Sequence, residues 1–160
     1  MEEKIQIRKN ALDVAETVVS LLCLVGVVVY LILAWGNIPD RIPGHYNALG
    51  EVDHWSSKSS LIILPIISWM LFGFITLVER YPQIWNTGIS VTDANRDAVY
   101  RLLKSLIALV KMFVLLMFAS LTVLSSFAVN LPIWYILGFL VAVFGTIAVC
   151  IVRLNRLRQG

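Results

Sequence analysis

A chain of 160 residues that is 59% apolar and only 14% charged, with a mean hydropathy of +0.82, departs from soluble domains, which run near 45–50% apolar and 25% charged. That excludes a disordered chain, and two cysteines exclude a disulfide scaffold. The formal charge of +3 comes with no basic stripe or recognition motif, so direct nucleic-acid binding is excluded and basic residues flanking membrane spans account for it.

The first uncharged run extends from Thr17 to Pro39 and is densest over Val18–Trp35. Its 18-residue apolar stretch exceeds the roughly 7–15 residues of a cleaved signal core, so it reads as a retained span. A second run covers Ser59–Val78. Beyond Lys111 no charge appears until Arg153; these 41 residues would form one helix of roughly 60 Å, twice a bilayer. The break belongs near Ala128–Pro132, where Asn130 favours a turn and Pro132 suits the first turn of a new helix. The expected fold is all-α, a four-helix transmembrane bundle forming a single integral membrane domain over 1–160. Its spans lie at about 14–35, 59–78, 104–128 and 132–152, with an outer loop at 36–58 and an inner loop at 79–103.

Basic residues set the expected orientation. Lys4, Arg8 and Lys9 precede span one; Arg80, Arg96, Arg101 and Lys104 lie between spans two and three; Arg153, Arg156 and Arg158 follow span four. Ten stand on that side against two, Arg41 and Lys58, on the other, which places both termini in the cytoplasm and the 36–58 loop outside. Trp35, Trp55, Trp134 and Tyr135 mark the outer boundary, and Tyr81, Trp85 and Tyr100 the inner one. Cys23 and Cys150 fall at depths differing by roughly 10 Å, too far apart for a disulfide.

The outer loop holds both histidines, His45 and His54. Pro39 and Pro43 press Ile38 and Ile42 toward extended backbone. Pro43-Gly44 reads as a type II turn pair and Asn47–Gly50 as a second turn. A short hairpin-like excursion is expected, roughly Ile42–Tyr46 against Glu51–Trp55, with Ser56 or Ser57 capping span two. On the inner side Glu79–Gly88 reads as loop, and Ser90-Val-Thr-Asp93 has capping-box spacing, predicting a helix from about Val91 or Thr92 that runs into span three. Asp97 and Arg101 form a favourable pair on it.

Besides Lys104 at the very edge of span three, two charges fall inside predicted spans. Lys111 lies about 10 Å from Lys104 along the axis, so its side chain is expected to snorkel to the inner surface. Glu16 stands at the start of span one, and a Glu16–Lys111 pair across two helices is conceivable. Gly138, Ala142 and Gly145 give span four a small-residue face for close helix approach, within the chain or in a homo-oligomer.

The string W-x-x-I-P-D-R-I-P-x-H-Y-N-x-x-G-x-x-D-x-W-x-x-K over residues 35–58 resembles the signature of a bacterial membrane domain of unknown function found at the N-terminus of SdpI-like immunity proteins. A weaker likeness continues through Ile89–Asn95. The resemblance implies a multi-pass protein of the bacterial inner membrane, with relatives that include one protecting against a toxic peptide and signalling by holding a repressor at the membrane. SdpI-like proteins carry a further membrane region, for all of which 160 residues leave no room.

Preorganised loops on rigid scaffolds commonly carry binding. The expected ligand-binding set is Trp35, Pro39, Asp40, Arg41, Pro43, His45, Tyr46, Asn47, Gly50, Asp53, Trp55 and Lys58, recognising a peptide toxin or other extracytoplasmic ligand and signalling to, or sequestering, a cytoplasmic repressor. No cofactor is expected. The competing metal-enzyme reading uses His45, His54, Asp40 and Asp53 as ligands, but their spacing matches no diagnostic pattern. A third reading, a transporter accessory subunit, is favoured if Lys111 lines a polar cavity with Glu16 rather than snorkelling.

Overall fold

A computed structural model describes Ile7 and residues 10–159; the expected basic residues Lys4, Arg8 and Lys9 lie outside this set. Four long helices are joined by one hairpin and short turns. Helix α1 spans Ala11–Ala34 and ends in a 3-10 turn at Trp35–Asn37, after which β1 (Arg41–Tyr46) and β2 (Val52–Ser57) pair antiparallel. A second 3-10 turn, Lys58–Ile62, leads into α2 (Ile63–Glu79); a third, Pro82–Ile84, precedes α3 (Arg96–Ser126) and α4 (Ile133–Gln159). All four helices are long and apolar enough to cross a membrane.

Helix α3 is the hub, packing against α1, α2 and α4, whereas α1 and α2 touch each other only thinly. The buried faces follow from residue spacing. On α1, Asp13, Glu16, Ser20, Leu24, Val27 and Leu31 form one stripe; on α3, Val99, Leu103, Ala108, Lys111, Leu115, Thr122 and Ser125 do the same. The α1 residues recur every three to four positions, and those of α3 at steps of three, four, five or seven, spacings that keep one side of a helix against its neighbour. The rest of α1 is leucine and valine turned outward, with Leu22 68% and Leu33 77% exposed, as lipid-facing helices require.

Helix α1 begins with a reciprocal cap. The Asp13 amide donates to Asn10 Oδ1 and the Asn10 amide to Asp13 Oδ2, each at 2.9 Å. Asn10→Ala removes the acceptor and is expected to cost about 1 kcal/mol, measured as a shift in the unfolding midpoint in detergent.

Three local expectations are corrected. Helix α3 starts at Arg96 rather than near Val91, because Asn95 Oδ1 takes the Thr92 amide while the Thr92 carbonyl accepts from the Asn95 and Arg96 amides, closing a separate turn. Neither Ser56 nor Ser57 caps α2: Ser57 makes no side-chain cap, and its hydroxyl meets Ser59 at 2.8 Å. Pro43-Gly44 lies within β1 rather than in a turn. On span four, a Cβ at Gly138 or Gly145 would meet no atom within 4 Å among the described residues, so of the two alternatives the sequence leaves open these glycines do not serve close helix approach within the chain. Both cysteines are free.

Candidate functional site

The hairpin is a bulged ladder tied to the helix ends beneath it. Pairing runs Arg41↔Ser57, Ile42↔Ser56, Pro43↔Trp55, His45↔His54 and Tyr46↔Val52, with irregularities on both sides of His45. The bulge needs a glycine: a Cβ on Gly44 would overlap Ser56 and come within 3.1 Å of the His54 ring. Asn47 builds the connecting turn. Its Oδ1 accepts from the Leu49 and Glu51 amides at 2.9 and 3.0 Å, its Nδ2 donates to Glu51, and the Gly50 amide donates to its carbonyl at 2.9 Å.

Four contacts then seat the hairpin on the α3–α4 connection. The Leu131 amide donates to the Gly50 carbonyl at 2.8 Å, the Val52 amide to Asn130 Oδ1 at 2.9 Å, and the Tyr46 hydroxyl to the Val129 carbonyl at 3.2 Å while also meeting Ser125 Oγ. Burial pushes the Tyr46 phenol above the ordinary tyrosine range, opposed by its Ser125 bond, so the hydroxyl stays neutral and able to donate. At the other margin Lys58 Nζ donates to the Ile38 carbonyl at 3.1 Å and sits 5.0 Å above the Trp35 ring. Ile38, Ile42, Leu31 and Leu61 close a small core there.

Beneath β1 lies a cavity of about 640 Å³, roofed by Pro43, His45, Tyr46 and Asn47 and walled by Leu61 and Leu64, by Met117, Leu121 and Ser125 of α3, and by Tyr135, Phe139 and Phe144 of α4. This falls within the size of small-ligand sites, which are apolar with few placed polar groups. Here those groups are hydroxyls: Tyr46 with Ser125, and Tyr135, which meets Ser120 Oγ at 2.8 Å.

The twelve expected loop residues therefore divide. Pro43, His45, Tyr46 and Asn47 line the cavity. Asp40, Arg41 and Trp55 are exposed, as is Pro39. Trp35, Gly50 and Lys58 hold the hairpin in place, and Asp53 meets His45 Nδ1 at 2.7 Å. That pair is open to solvent, with side chains 67% and 44% exposed, and contributes little to stability. The four candidate metal ligands do not converge: among the described residues no three His, Cys, Asp or Glu side chains are placed to share an ion.

At the opposite end of the bundle the expectation for Lys111 is overturned. It does not snorkel. Its side chain is 1% exposed and its ammonium stands 3.0 Å from Glu16 Oε1 and 2.9 Å from Glu79 Oε2, with Thr76 Oγ1 at 3.4 Å and the Phe72 ring at 5.3 Å. Thr17 and Ser20 hydroxyls donate to the Glu16 carboxylate, and Lys104 pairs with Asp13 at 2.9 Å one layer outward. An ammonium inside an apolar bundle is most stable beside counter-charges it can reach, and two lie nearer than the surface. These groups line a cleft of about 480 Å³ between α1, α2 and α3. Glu79 was missed as a partner because Glu79-Arg80-Tyr81-Pro82 reads as the start of a loop; α2 instead continues through Glu79. The available signal was the stripe spacing, which sets Glu16 on the face of Ser20 and Leu24 and Lys111 on that of Ala108 and Leu115.

Comparison with known proteins places residues 21–68 in a match to a domain of unknown function, DUF1648. The matched segment holds the whole hairpin with the ends of α1 and α2 that carry it, and stops short of Glu79 and Lys111. An uncharacterised protein of the archaeon Archaeoglobus fulgidus is 34% identical over 65 residues, covering 36% of this chain and 36% of that protein. The chain thus spans little more than a third of that relative's length. No solved structure matches. The four apolar helices and the domain match describe a multi-pass membrane protein of unknown function.

Proposed function

We propose that the chain is a membrane recognition protein that takes an apolar or amphipathic ligand, such as a peptide toxin, in the hairpin-roofed cavity, and relays occupancy to a partner at the opposite face of the membrane. One observation carries this reading: a cavity of about 640 Å³ with apolar walls and two placed tyrosine hydroxyls lies under a hairpin fixed to three helices. The basic end of the bundle, with Arg80, Arg96, Arg101, Lys104 and Arg153, supports a cytoplasmic placement of both termini and an outward hairpin. The likeness of residues 35–58 to SdpI-like proteins supports immunity or signalling as the setting.

A photo-crosslinking amino acid at Leu64 or Phe139, in membranes of the native host, is expected to give a discrete adduct. The same group at Leu22 on the outward face of α1 should give only lipid. Lipid adducts alone at all three positions would sink the reading. Replacing Asp40 and Arg41 together by Ala, with membrane expression intact, separates the outer hairpin face from the cavity as the recognising surface, because neither residue lines the cavity.

The buried charges favour a second reading, an accessory subunit of a transporter, because Lys111 lines a polar cleft with Glu16 and Glu79. Its test is the neutral triple substitution Glu16→Gln, Glu79→Gln, Lys111→Met. A folded variant that leaves ion and solute uptake across the host membrane unchanged rules this reading out.

A further inference from the structure

A separate cleft of about 590 Å³ runs between α3 and α4 at the basic end of the bundle, with Asn10 and Leu12 at the start of α1 on its margin. Its walls are mainly apolar along the helix axis: Leu102, Leu106 and Leu109 of α3 and Val149 of α4 line it, with Ser105 and Thr146 as the small polar groups among them. Leu102 to Leu109 amounts to roughly 10 Å of mainly apolar wall at 1.5 Å per residue. Its mouth is cationic. Arg153 and Arg156, both exposed and one turn apart on α4, stand with Arg101 of α3 around the opening.

We infer that this cleft binds one anionic phospholipid, its phosphate held by Arg153 and Arg156 and an acyl chain lying against Leu102, Leu106 and Leu109. Two features choose this occupant. The arginines sit at helix ends, where spans of this length put the headgroup layer, and guanidinium forks match phosphate oxygens. The apolar wall below continues into the hydrocarbon depth, which a free phosphate would leave unfilled. A zwitterionic lipid fits the wall equally well but brings its own cation to a cationic mouth.

The experiment uses the full chain purified in a mild non-ionic detergent and titrated with phosphatidylglycerol, phosphatidylcholine or inorganic phosphate, with bound species counted by native mass spectrometry. The expected result is one phosphatidylglycerol per chain, preferred at least about tenfold over phosphatidylcholine. Each arginine near a headgroup contributes about fivefold, so R153Q/R156Q should bind phosphatidylglycerol about 25-fold more weakly. R158Q, whose side chain lies outside the cleft, should change binding less than twofold. V149W, which fills the wall and leaves every arginine in place, should also lose the lipid, and it tests the site if the arginine pair compromises folding. Undiminished binding in R153Q/R156Q or in V149W would overturn the assignment. So would an equal loss in R158Q, which would reveal diffuse surface attraction, or displacement of phosphatidylglycerol by equimolar inorganic phosphate.

Discussion

Replacing Lys111 with methionine is expected to lower the stability of the bundle by about 3–5 kcal/mol, the range seen when one member of a buried ion cluster is removed and its partner charges are left uncompensated. The substitution keeps much of the side-chain length, so little of the loss comes from packing. What remains is Glu16, 2% exposed, opposite a Glu79 side chain that is 14% exposed, with their shared cation gone. Among the described residues Glu79 Oε1 already has no hydrogen-bond partner, so it offers no reserve. The companion variant Glu16→Gln, Glu79→Gln, Lys111→Met removes every charge at once and should recover most of the loss, since exchanging a whole buried cluster for neutral groups is often close to neutral. Unfolding midpoints in mixed micelles decide between them. A cost below about 1 kcal/mol for Lys111→Met would mean that the two carboxyl groups tolerate each other without the ammonium.

Gly50→Ala is expected to undock the hairpin at a local cost of about 2–4 kcal/mol. The backbone there has φ of +84°, which costs a residue with a Cβ about 1–2 kcal/mol. The added Cβ would also run into the Leu131 carbonyl, whose carbon lies 3.0 Å from that position, so the Leu131–Gly50 hydrogen bond must open at a further cost of about 1 kcal/mol or more. Hydrogen exchange at the Leu131 and Val52 amides is the direct readout: both should lose protection while amides in the middle of α1 keep theirs. Unchanged protection at Leu131 would show that the Leu131–Gly50 hydrogen bond survives the added Cβ and that the hairpin stays docked, overturning the prediction.

Much of the architecture was legible because membrane helices announce themselves as uncharged runs, and Asn130 with Pro132 marked the only place where the longest run could turn. The hairpin was legible from Pro39, Pro43 and the Asn47–Gly50 turn, although its second strand reaches Ser57 and its bulge at Gly44 was misread as a turn. Tertiary partners were legible only in part: a Glu16–Lys111 pair is conceivable from the sequence and is present, whereas Glu79 as the second carboxylate is not signalled. Lys111 was judged by its distance to the surface along one helix, whereas its position is decided by carboxylates on two other helices. The cavity under β1 was hidden for the same reason: Leu64, Ser125 and Tyr135 belong to three helices, and only the way the hairpin sits on them brings their side chains together.

The thin contact between α1 and α2, set beside the thick packing of α3 on both, bears on how the chain enters a bilayer. Spans emerge in order during synthesis, so α1 and α2 are present before α3. In that interval Glu16 and Glu79 would meet with no cation between them, and the pair has little apolar interface to hold it. Arrival of α3 brings Lys111 to both carboxylates at once and supplies the missing surface. The packing of the first two spans on each other thus depends on the third, which carries the cation that both carboxylates share.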